Sequence, residues 1–119
     1  QKYQSEFSSR EAAVALADKQ LARLKAQIES ASAEIDIKQT AIDRQKAELV
    51  ALRDAENISA YNANIPVYNN MVDSFNIRVR ALRALINEYN ALVERRNAIA
   101  LEENELVKSL SNDVAPINQ

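Results

Sequence analysis

At 119 residues the chain is long enough for one domain, and its make-up restricts what that domain can be. Glycine, histidine and cysteine are all absent, which excludes hairpin-rich sheets, disulfide frameworks, thiol chemistry and the usual imidazole ligands and general base. Charge is nearly balanced, 15 basic residues against 17 acidic ones, so the chain as a whole has no pull on nucleic acid or an anionic membrane.

What remains abundant is alanine, leucine, glutamate, glutamine, arginine and lysine, all strong helix formers. The first half of the chain carries one dominant column. Phe7, Val14, Leu21, Ile28, Ile35, Ile42 and Leu49 recur every seven residues, and all are large and apolar. Three places later the column reads Arg10, Ala17, Leu24, Ala31, Lys38, Gln45 and Leu52. Apolar residues spaced alternately four and three apart form a stripe down one side of a helix. Ser5, or Ser8 with Glu11 as a capping box, can start that helix. The spacing predicts helix 1 over about residues 6–56.

Asn57, Ser59, Asn62 and Asn64, followed by Ile65-Pro66, mark a break. Asparagine tolerates a left-handed helix end where glycine is missing, and Pro66 suits the first turn of a following helix. A turn is therefore expected over about 57–65 and helix 2 over about 66–112, with a polar tail at 113–119. The alternative is a helix 2 that starts earlier and kinks at Pro66, because the seven-residue repeat already holds phase at Tyr61.

Helix 2 carries four columns. Tyr61, Tyr68, Phe75, Leu82 and Tyr89 form the first; Arg96 and Glu103 interrupt it further on. Asn62, Asn69, Asn76, Asn90, Asn97 and Asn104 lie one place later, and Ile65, Val72, Val79, Ile86 and Val93 lie four places later. The remaining column is Met71, Leu85, Leu92, Ile99 and Leu106.

The expected fold class is all-α: a long antiparallel two-helix coiled-coil hairpin forming a single helical domain over 1–119. In the register that keeps Phe7 paired, Leu49 faces Tyr68, Ile42 faces Phe75, Ile35 faces Leu82, Ile28 faces Tyr89 and Phe7 faces Leu110. One alanine-rich partner helix is too narrow to cover every apolar column of helix 2. Met71, Leu85, Leu92, Ile99 and Leu106 are therefore the expected interface for a second hairpin, giving a homo-oligomer, a dimer first of all, in a four-helix arrangement.

No catalytic, cofactor-binding or metal-binding residue stands out, and no cofactor is expected. Arg78, Arg80 and Arg83 are too few, and too spread around a helix, for a nucleic-acid patch; ion pairing with Glu34 and Asp36 is the simpler expectation. Glu102, Glu103 and Glu105 read as a solvated face near Arg10, since a hard-metal site needs converging oxygens. No apolar run approaches the roughly 20 residues that span a bilayer.

The segment EYNALVERRNAIALEENELVKSL, Glu88 to Leu110, carries a Tyr-Asn-x-Leu-Val unit at Tyr89, Asn90, Leu92 and Val93, and Tyr61-Asn62 and Tyr68-Asn69 repeat its start. It resembles coiled-coil regions of bacterial secreted or envelope proteins, some of which precede a matrixin-type protease domain. The resemblance implies an exported spacer or assembly module at the cell envelope or outside it; without it a cytoplasmic place is the default. No His-Glu-x-x-His is present, so no protease activity carries over. A non-enzymatic structural or interaction module, self-associating as a spacer or docking rod, is the expected function, with a partner protein as a further possibility. The alternative is a helical module that holds a lipid or other hydrophobic ligand.

Overall fold

The structure is a computed structural model that describes the backbone of residues 2–114 and the side chains of residues 4–110. Every described residue except Ala55, Glu56 and Asn57 is helical. Two helices, α1 (Lys2–Asp54) and α2 (Ile58–Val114), make an all-α hairpin. No strand occurs among the described residues.

The reversal between them is built from backbone hydrogen bonds that a glycine would normally help to form. The N–H of Asn57 donates to the carbonyl of Leu52 at 2.9 Å and that of Glu56 to Arg53 at 3.0 Å. This pair of bonds closes a Schellman motif, which needs a left-handed residue just past the helix end. Glu56 occupies that place with φ of 58°. Asn57 then caps α2: its side-chain Oδ1 accepts from the N–H of Ala60 at 3.3 Å, and its carbonyl accepts from Tyr61 at 2.9 Å.

The expected turn over 57–65 is corrected accordingly. Residues 55–57 make the whole connection and α2 begins at Ile58, with Pro66 inside it. Asn57 is an N-cap; the left-handed position falls to a glutamate. The expected start of helix 1 near residue 6 moves to Lys2. The expected tail is helical through Val114, and its remainder lies outside the described residues.

The chain divides into two compact units, Gln1–Ala26 with Asn87–Gln119, and Gln27–Ile86. In the first, Ala17, Leu24 and Leu92 are buried, and Phe7, Val14, Leu21, Tyr89 and Ile99 are half-buried around them. The ion pairs Arg10–Glu102, at 3.1 Å, and Arg96–Asp18, at 3.0 Å, tie its two helical segments together. In the second, Ile42 and Leu49 are buried, with Ile28, Ile35, Tyr61, Tyr68, Phe75 and Leu82 half-buried. Here Arg78 pairs with Glu34 at 3.3 Å, and the Gln45 side-chain amide donates to Asn64 at 3.2 Å.

These contacts set the register. Ile42 lies among Asn70, Met71 and Val67, not opposite Phe75. The expected register is thus displaced by about five residues, or roughly 7 Å along a helix. The cause is the tight connection: the hairpin folds about Glu56, and α2 meets α1 earlier than a nine-residue turn would allow.

Candidate interaction surface

Each unit is two helices thick, and this decides which apolar columns are covered. Of the column expected to meet a second hairpin, Met71, Leu85, Leu92, Ile99 and Leu106, four members lie beside α1 residues within their units, and Leu85 is half-buried. Leu92 is only 8% exposed. Leu92 and Ile99 line a hollow with Ala13, Leu16 and Ala17. Leu106 stands beside Arg10, and Met71 beside Ala41 and Ile42. The hairpin's own seam therefore uses this column, and the aromatic column is its other half.

The column four places after the aromatics is left at the edge. In the second unit Ile65, Val72 and Val79 are half-buried and Ile86 is 39% exposed. Position follows from helical pitch: at 100° per residue this column lies about 40° beyond the aromatics, and the asparagine column about 60° further. Asn62, Asn69 and Asn76 are all exposed. Beyond them come Asp73 and Arg80, also exposed, and among the described residues neither has an ion-pair partner. Between Asn62 and Leu82 the apolar edge column and the asparagine column hold no charge, in a chain that is 27% charged. Arg83 ends the neutral run.

On the opposite flank of the same seam lies a cleft of about 380 Å³. Ile42 and Met71 form its apolar part, Val67 stands 47% exposed at its rim, and Lys38, Asn70 and Ser74 supply its polar edge. In the first unit, Glu103 is the one described group with a buried oxygen, Oε1, that lacks a hydrogen-bond partner. Its neighbour Glu102 takes Arg10.

Among the described residues no cluster of three or more acidic side chains is placed to hold a metal ion. No described helix is long and apolar enough to cross a membrane. Of the basic group expected to pair with Glu34 and Asp36, Arg78 meets Glu34, while Arg80, Arg83 and Asp36 make no ion pair among the described residues. The sequence columns identify the edge residues by spacing, and Asp73 shares a column with Arg80 two turns away.

No family model matches the chain, no curated protein matches it, and no solved structure matches it. The surface itself is therefore the basis for a functional reading.

Proposed function

We propose that the chain is a non-enzymatic structural module, a helical hairpin that self-associates and serves as a spacer or docking element. The observation that carries this reading is the unequal width of the two apolar faces. α1 offers one wholly apolar column and a second that Arg10, Lys38 and Gln45 interrupt, the narrow face of a helix that pairs with one neighbour. α2 offers three adjacent columns: the aromatics, the seam column and the edge column. A two-column stripe suits a two-helix seam, whereas a three-column face suits a helix with two apolar neighbours in a bundle. Two hairpins arranged as four helices give α2 its second neighbour. The absence of histidine, cysteine and glycine supports a role without nucleophile, imidazole-metal or phosphate-loop chemistry. The resemblance of Glu88 to Leu110 to coiled-coil regions of exported bacterial proteins supports a spacer or assembly role.

Sedimentation equilibrium over a hundredfold concentration range tests the reading. A monomer–dimer equilibrium or a stable dimer is expected; a chain that stays monomeric at the highest concentration overturns it.

The cleft beside Ile42 and Met71 favours a second reading, a module for a hydrophobic ligand, since its volume lies at the lower end of small-molecule sites. Saturable uptake of a fluorescent fatty acid, abolished by Met71→Lys, is the outcome that would favour it over the structural role.

A further inference from the structure

We propose that the docking face is the neutral edge of α2 in the second unit, and that its occupant is the same edge of a second copy, lying antiparallel about a twofold axis beside Asn76. This rests on the reading of the chain as self-associating, and names the surface and the register.

The face is self-complementary in the way a twofold interface requires, where one patch must fit itself. In an antiparallel pair, residues equally distant from the axis on opposite sides meet. With the axis beside Asn76, Ile65 faces the second copy's Ile86 and Val72 faces its Val79, so the whole apolar edge is matched. Asn76 faces its own counterpart. An amide carries both an acceptor oxygen and a donor N–H₂, so two identical asparagines satisfy each other where two identical charges could not. Asn69 faces Arg83, whose donors the amide oxygen can accept.

Charge selects this register over its neighbours. Asp73 and Arg80 stand at the outer margin of the face, seven residues and about 10 Å apart on one helix, too far to bridge each other. With the axis beside Asn76 each Asp73 meets the other copy's Arg80, and the pair occurs twice. Moving the axis to Val72 sets Asp73 against Asp73, and moving it to Val79 sets Arg80 against Arg80. Opposed like charges penalise both slips. The apolar edge is also continuous with the aromatic column of the intramolecular seam, so the second copy extends a core that already exists.

The charge pair supplies a test that leaves the core alone, because Asp73 and Arg80 are exposed. The full chain is made in three forms: parent, Asp73→Arg and Arg80→Asp. Dimer affinity is measured by sedimentation equilibrium at low ionic strength, where exposed pairs are least screened. Each variant alone turns two attractions into two repulsions and is expected to weaken the dimer by about tenfold or more. An equimolar mixture of the two variants restores both attractions and should dimerise within about threefold of the parent. Circular dichroism should show equal helicity throughout.

A parent that dimerises while both variants match its affinity overturns this face and leaves self-association standing. Variants that weaken but do not rescue each other overturn the antiparallel register. A monomeric parent overturns both. Because the chain has no cysteine, Asn76→Cys gives an independent check. Oxidation should link it into a covalent dimer far faster than Ala47→Cys, an exposed position on α1; equal rates would count against an axis at Asn76.

Discussion

Two polar residues interrupt the aromatic column of α2, and the structure treats them differently. Arg96 reaches Asp18 across the seam at 3.0 Å, and its long stem lies over apolar neighbours while the guanidinium stays near water. Glu103 is half-buried and one of its oxygens has no partner. A desolvated acceptor without a donor costs free energy that an apolar side chain of similar size would not. Glu103→Leu is therefore expected to stabilise the hairpin by about 1 kcal/mol, seen as a rise of a few degrees in thermal melting. A lower melting temperature would show that Glu103 holds a contact in solution that this arrangement lacks. At this scale the sequence was informative about which charges meet: the pairing of Arg78 with Glu34 and the placement of Arg10 beside the acidic group follow from the columns. It could not rank Arg96 above Glu103, because that depends on which α1 residue stands opposite, and so on register.

At the scale of the helices, the two elements and their antiparallel pairing were legible, and the phase of the repeat at Tyr61 raised the earlier start of α2 as the alternative; the exact boundaries were not legible. The reason lies in two residues that stand against their intrinsic preferences. Glu56 takes a left-handed conformation that costs a non-glycine residue roughly 1–2 kcal/mol, so nothing in its identity marks it as the pivot. Pro66 reads as a helix start and lies inside α2. It has no N–H for the carbonyl of Asn62, and its ring crowds that carbonyl. Both residues are exposed, so water can take up the carbonyl and the helix tolerates the defect. Pro66→Ala should therefore raise stability, by about 2–2.5 kcal/mol: the roughly 3 kcal/mol of proline's helix penalty, less the freedom regained by the unfolded chain. Urea denaturation followed by circular dichroism measures it. A loss of stability would mean that Pro66 fixes a bend on which the Gln45–Asn64 bond at the same end of the hairpin depends. Register escaped the sequence for a related reason. Columns of near-uniform large apolar residues pack acceptably at several offsets, and the geometry of three connecting residues decides among them.

At the scale of the whole molecule the deciding fact is how little is fully buried. Among the described residues only Ala17, Leu24, Ile42, Leu49 and Leu92 are buried hydrophobic side chains, and none is below 2% exposed. A fully buried leucine or isoleucine contributes about 1.5–3 kcal/mol of gross gain, and the backbone entropy of ordering two long helices, about 1–2 kcal/mol per residue, far exceeds what these five supply; the half-buried columns must carry much of the stability. If a second copy covers the edge of α2, those half-buried side chains gain burial only in the dimer, and folding becomes linked to association. Mass action then makes melting depend on concentration. For a dimer of this size, with an unfolding enthalpy of about 0.7 kcal/mol per residue, each tenfold rise in concentration should lift the melting temperature by about 3 °C. Differential scanning calorimetry across two decades of concentration reads this directly. A melting temperature that does not move would show that the single hairpin reaches its full stability alone, and that the third apolar column of α2 is covered by something other than a second copy of this chain.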